Sequence, residues 1–150
     1  MKILILNGPN LNLLGKRDPS KYGNQTLDKI NNKLRALAAQ KDVSLVFFQS
    51  NCEGALIDLI QNDTTRNDIS GVIINPGALV RYGYSLRQAL IDLGKPVMEV
   101  HMSDIDKTGI SKSVNVLEDI RIGQVKGMKE DSYFVGLQKL IEHIRLKGQK

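Results

Sequence analysis

The sequence predicts an open, doubly wound α/β fold, and three observations carry that expectation. Four short segments, "KILILN" (2–7), "VSLVFFQS" (43–50), "GVIINP" (71–76) and "PVMEVH" (96–101), are β-rich and apolar almost throughout. Apolarity that is continuous rather than alternating marks strands covered on both faces, as in a parallel sheet. Between these segments the apolar residues fall at helical spacing, which is what crossover helices require.

The first strand runs into "NGPNLNLLGKRDPSKYG" (7–23), far longer than an ordinary strand-to-helix link. Its glycines, prolines and asparagines account for turns, but not for Arg17 and Tyr22. Thr26 can cap a helix that buries Leu27, Ile30, Leu34 and Leu37. The second strand leads through "SNCEG" (50–54) into a helix marked by Leu56, Leu59 and Ile60. The third leads through "NPGALVRYGYS" (75–85) into one marked by Leu86, Leu90 and Leu93. The fourth ends in "EVHMS" (99–103), a weaker strand signal lies in "IRIGQVKG" (120–127), and Phe134, Leu137, Ile141 and Ile144 form a last helical stripe. The sum is a flavodoxin-like sheet of about five parallel strands flanked by helices, in one domain spanning 1–150.

Composition narrows the function classes. The 150 residues are 41% hydrophobic and 25% charged, values of a globular protein. No apolar run approaches the roughly 20 residues of a membrane span. The apolar run of "MKILILNGPN" is too short for a signal peptide, so cytoplasm is the expected address. Cys52 is the only cysteine and there are two histidines, which argues against an internal disulfide, a thiolate cluster or a dedicated zinc site. The net charge of +5 would suit an anionic partner, yet the cations are scattered, "RLKGQK" reads as a solvated helix end, and aromatics are 5%. A nucleic-acid surface is therefore not expected.

In an open α/β sheet, sites form beyond the carboxyl ends of the strands. Those ends carry Asn7, Asn10, Asn12, Arg17 and Tyr22 after the first strand, and Asn75, Arg81, Tyr82 and Tyr84 after the third. Glu99 and His101, two apart on the fourth strand, share a face, and a carboxylate beside an imidazole makes a usable general acid or base. The plain alternative is a strand-end histidine satisfied by its neighbour. A free tyrosine has a pKa of about 10, and a guanidinium held near the phenol favours phenolate, so Arg17 and Tyr22 can together abstract a proton from carbon. The alternative there is a surface tyrosine with an unrelated arginine. Asn10, Asn12 and Asn75 can support a developing oxyanion or simply build turns. Arg81 can bind a substrate carboxylate or be a solvated helix residue. Cys52 reads as a small apolar residue near a helix start. The glycines at 8, 15 and 23 fit neither G-x-G-x-x-G nor a Walker A spacing, which disfavours a dinucleotide site.

The segments "NGPNLNLLGKRDP…YG", "QSNCEG", "INPGA" and "EVHMS", in that order, resemble the type II 3-dehydroquinate dehydratases, from end to end and most strongly before residue 104. The resemblance implies dehydration of 3-dehydroquinate to 3-dehydroshikimate through an enolate, with no metal or organic cofactor, in trimers assembled to a dodecamer. It implies Tyr22 as the phenolate base, Arg17 as the group holding that form, and Asn10 as the positioner of a water on the enolate. His101, oriented by Glu99, would protonate the leaving C1 hydroxyl. Asn75 and the backbone at Met102 and Ser103 would hold the substrate's polar groups, with Arg81, Gln88 and Lys112 at the rim. This chain departs from the family's usual residues at Cys52 and Arg81 (histidine), Gln88 (aspartate) and Lys112 (arginine). Those changes bear on substrate grip and subunit contacts rather than on the proton-transfer positions. The other readings are an enzyme for a related polyhydroxy cyclic acid and a non-catalytic ligand-binding module.

Overall fold

The computed structural model describes residues 1–107 and 114–149. Its strands are β1 (Lys2–Asn7), β2 (Ser44–Gln49), β3 (Gly71–Asn75), β4 (Val97–His101) and β5 (Gly123–Lys126). Its helices are α1 (Pro19–Tyr22), α2 (Leu27–Ala39), α3 (Glu53–Gln61), α4 (Asp63–Asp68), α5 (Tyr84–Leu93) and α6 (Asp131–Lys147). Short 3₁₀ segments cover Leu11–Leu13 and Gly77–Arg81. The five strands form one sheet in the order β2-β1-β3-β4-β5, and every pairing is parallel. This is the flavodoxin-like order, with its switch point between β1 and β3.

Local chemistry sets the element ends. Thr26 Oγ1 accepts from the Lys29 N–H at 3.3 Å and starts α2. Asn62 Oδ1 accepts from Thr64 N and Thr65 N and starts α4. Prolines 76 and 96, which have no N–H to give a ladder, stand just outside β3 and β4.

The two sheet faces carry separate apolar layers. Ile3, Ile5, Ile73, Met98 and Val100 pack under α2 and α6, against Ile30, Leu34, Tyr133, Leu137 and Ile141. Leu4, Leu6, Val72, Ile74 and Val97 pack under α3 and α5, against Leu56, Ile60, Leu86 and Leu90. Central strands β3 and β4 are buried along their whole length, as continuous apolarity predicts. Strand β2 is not: it lies at the sheet edge with Val46 exposed and Leu45, Phe47 and Phe48 half-buried. One neighbouring strand and one covering layer cannot enclose it. No helix of the described residues is long and apolar enough to cross a membrane.

Candidate active site

The carboxyl ends of β1, β3 and β4 open onto a cleft of about 210 Å³, small beside the roughly 300–1,000 Å³ of pockets for drug-sized ligands. Two glycines let its floor close. The Gly8 N–H donates to the Asn75 carbonyl at 2.8 Å, and a Cβ on Gly8 would stand 2.5 Å from the Pro76 carbonyl oxygen. Gly77, at φ +57°, lies against the backbone of Pro9 in the same way. The loops after β1 and β3 are thus stitched backbone to backbone, and Asn10 and Asn75 line one cavity. Asn10 adopts φ 70°, a left-handed geometry that asparagine tolerates better than most residues. Its N–H donates to Asn51 Oδ1 at 2.9 Å.

Farther along the same loop, Asp18 caps the single turn of α1. Its carboxylate accepts from the Ser20 N–H at 2.9 Å and from the Ser20 hydroxyl at 2.7 Å. These bonds hold the Asp18 carboxyl below the usual carboxylate range. The turn brings Tyr22 back over the cleft, where the Arg17 guanidinium carbon stacks 3.8 Å from the ring centroid. A cation over an aromatic face is attracted by the ring's quadrupole, so the pair is held as a unit.

On the far wall stands His101, 3% exposed, with Glu99 fully buried behind it. His101 Nε2 lies 2.6 Å from Glu99 Oε1. The same carboxylate accepts from Asn115 Nδ2 at 2.8 Å and Gln124 Nε2 at 3.0 Å, and its second oxygen accepts from Arg121 Nη1. Burial pushes the Glu99 pKa up, but the hydrogen bond and charge of His101, then the bonds from Arg121 and Asn115, outweigh it and bring it down to about 2. An ionised carboxylate only accepts. Nε2 of His101 therefore carries the proton, and Nδ1 is the nitrogen left for the cleft.

Met102, Ser103 and Arg81 also line the cleft. The Met102 carbonyl accepts from Lys129 N at 2.9 Å and that of Ser103 from Gly127 N at 3.2 Å, which fixes the chain as it leaves β4. Arg81 Nη1 donates to the Val114 carbonyl at 2.8 Å, and Nη2 to the Ile105 carbonyl at 3.0 Å. Its guanidinium therefore ties two stretches of backbone together as well as lining the cleft.

The structure thus brings Asn10, Arg17, Tyr22, Asn75, Arg81, His101, Met102 and Ser103 to one cavity, with Glu99 behind His101. It does not bring Gln88 there. Gln88 lies exposed on α5 with its amide nitrogen 2.8 Å from Asp92 Oδ1. Lys112 falls outside the described residues. Cys52, expected as an apolar residue, is exposed at the start of α3, its N–H donating to Ser50 Oγ. Sequence reasoning also missed Asn115, Arg121 and Gln124, because hydrogen bonds to Glu99 from 16 to 25 residues away leave no periodic trace. In the sequence Asn7 is only a strand-end amide, and no local pattern singles out Tyr133. Their contact spans 126 positions.

Residues 1–141 match the model of a family described as dehydroquinase class II. A 3-dehydroquinate dehydratase of Carboxydothermus hydrogenoformans is 44% identical over 145 residues, covering 97% of this chain and 93% of that protein. One of Roseiflexus castenholzii is 44% identical over 141 residues, covering 94% of this chain and 88% of that protein. Among solved structures, a type II dehydroquinase of Butyrivibrio crossotus superposes with a TM-score of 0.87 at 36% identity, covering 93% of this chain and 97% of that one.

Proposed function

The chain belongs to the class II dehydroquinase family, and from that premise we propose that it is a hydro-lyase converting 3-dehydroquinate to 3-dehydroshikimate through an enolate. The observation that carries the mechanism is the pairing of a stacked Arg17–Tyr22 and a buried Glu99–His101 within one cleft. A non-catalytic binding module has no use for a matched base and acid.

In the proposed reaction Tyr22, as phenolate, removes the C2 proton. The guanidinium of Arg17, stacked on its ring, holds the base over the cleft. Electrons moving toward the ketone oxygen form the enolate, and Asn10 positions a water that donates to it. His101 then delivers a proton to the C1 hydroxyl from Nδ1, which departs as water in an anti elimination. Glu99, ionised at the pH of catalysis, stabilises the imidazolium that gives up that proton. Asn75 and the backbone at Met102 and Ser103 hold the substrate, and Arg81 contributes the guanidinium N–H groups that its two carbonyl contacts leave over. As the C1–O bond breaks, the enolate electrons form the C1=C2 double bond and restore the ketone; proton transfers among these groups assist both steps, so the route calls on no metal or organic cofactor.

We place the enzyme in the cytoplasm as a homo-oligomer of trimers built into a dodecamer. The unpaired edge of β2, with Val46 exposed, supports association, since open apolar edges are normally covered. Gln88 does not line its own cleft, so a substrate-binding role for it would be played in the cleft of a neighbouring copy.

The test is direct. Purified protein mixed with 3-dehydroquinate should generate the ultraviolet absorbance of a conjugated enone, and no signal above blank at high enzyme concentration would reject the reading. Borohydride added during turnover should trap no lysine adduct, because no Schiff base is formed.

A further inference from the structure

Asn7 and Asn75 are register partners at the carboxyl ends of β1 and β3, and helix α6 covers the sheet face they share with Ile5 and Ile73. Tyr133 descends from that helix with 0% exposure. Its hydroxyl donates to Asn7 Oδ1 at 2.6 Å, and its oxygen accepts from Asn75 Nδ2 at 2.9 Å. Asn75 Oδ1 in turn accepts from the Gly77 N–H at 3.2 Å. Asn75 lines the substrate cleft; Tyr133 and Asn7 do not.

From this geometry we infer that Tyr133 is a positioning residue for the reaction, setting which end of the Asn75 amide faces the substrate. A phenol carries one proton. With that proton given to Asn7, only lone pairs remain for Asn75, so Asn75 must turn its NH₂ toward the ring oxygen and its carbonyl toward Gly77. The flipped amide would set two acceptors against each other at Tyr133 and two donors against each other at Gly77. Leaving buried polar groups so mispaired is far costlier than a single hydrogen bond is favourable. What remains for a ligand is the second Nδ2 hydrogen and the second Oδ1 lone pair, in fixed places. Burial pushes the Tyr133 phenol well above the usual tyrosine range, so the directing proton is present at any pH the enzyme meets. An ordinary buried tyrosine needs one partner. This one stands between two amides of which only one reaches the cleft.

The inference rests on the reading of Asn75 as a substrate-binding group, and the experiment separates the two. Tyr133→Phe, Asn75→Ala and the double variant are assayed for kcat and KM with 3-dehydroquinate, with unfolding followed in parallel. Tyr133→Phe should lower kcat/KM about tenfold, mainly through KM, the size of one misdirected hydrogen bond. In the Asn75→Ala background the same change should alter kcat/KM less than about twofold, because the amide it orients is gone. An equal loss in both backgrounds would overturn the inference by showing a general structural role. So would wild-type kcat/KM in Tyr133→Phe while Asn75→Ala is impaired. Should Asn75→Ala itself keep wild-type kcat/KM, the substrate-binding reading fails and this inference with it. Asn7→Ala supplies a second route if Tyr133→Phe folds poorly. It frees the phenol proton to meet either end of Asn75, and should raise KM about threefold, an effect again absent with Asn75→Ala. The pH–rate profile of Tyr133→Phe should keep its shape; loss of a limb would mean that Tyr133 moves protons and would overturn a positioning role.

Discussion

In the proposed reaction Tyr22 and His101 each depend on one other residue, and the two arrangements differ in kind. Arg17 acts on Tyr22 from half-exposed positions through a stacked ring. Glu99 acts on His101 from full burial, with four donors converging on its two oxygens. Tyr22→Phe should lower kcat by about 10²–10⁴-fold, the span of a lost general base, with an unchanged thermal midpoint. Near-normal turnover would exclude the phenolate route. Glu99→Gln should instead cost stability as well as activity, because it leaves the Arg121 guanidinium facing a neutral amide in a buried setting; breaking such a pair costs roughly 3–5 kcal/mol. Glu99 also gives the pH dependence its sign. Its folded pKa, about 2, lies below the ordinary 4.5, so the native state binds the proton more weakly than the unfolded chain. The stabilisation, about 3 kcal/mol by linkage, is complete above pH ~4.5 and is lost as pH falls toward ~2. Urea midpoints measured from pH 6 to pH 2.5 should fall across that window, and less steeply in Glu99→Gln.

At the scale of elements, the loops do the assembling. The stretch 7–23 is long because it must leave β1, lie against the β3 loop, and return with Tyr22 over the cleft. Its closest approach is at Gly8, where an added Cβ would meet the Pro76 carbonyl at 2.5 Å. That oxygen belongs to backbone at a strand end and cannot swing aside as a flexible side chain would. Gly8→Ala should therefore destabilise by about 1–3 kcal/mol, and lower kcat/KM at least tenfold, since displacement near 1 Å at a reacting group can cost about 10²-fold. A stability loss with wild-type kcat/KM would mean that the loop contact does not position the chemistry. The turn-forming residues of this loop were legible in the sequence. The contact that makes Gly8 indispensable was not, because its partner lies 68 positions away.

At the scale of the whole molecule, a parallel sheet with two covered faces still leaves two edges. Strand β5 is four residues long, but β2 presents six residues with apolar side chains only partly covered. If copies associate as proposed, sedimentation should give a particle twelve times the chain's mass, and the thermal midpoint should rise with protein concentration, as it does whenever assembly is linked to folding. A monomeric boundary and a concentration-independent midpoint would exclude the assembly. They would also leave Gln88 without a substrate to touch.

The sheet, its crossover helices and the edge at which the polar residues collect can all be read from the chain's order of residues, because each follows from short-range periodicity and from the chirality of parallel crossovers. Its motifs also pointed to Tyr22, His101 and their immediate partners, since those pairs lie within five positions of each other. How those groups are held emerges only once the chain is folded. Asn115, Arg121 and Gln124 close around Glu99, Arg81 ties Ile105 to Val114, and Tyr133 reaches back across the chain to Asn7 and Asn75. Most buried polar atoms take their partners wherever the fold supplies them, and it supplies these from distant segments that no local pattern connects.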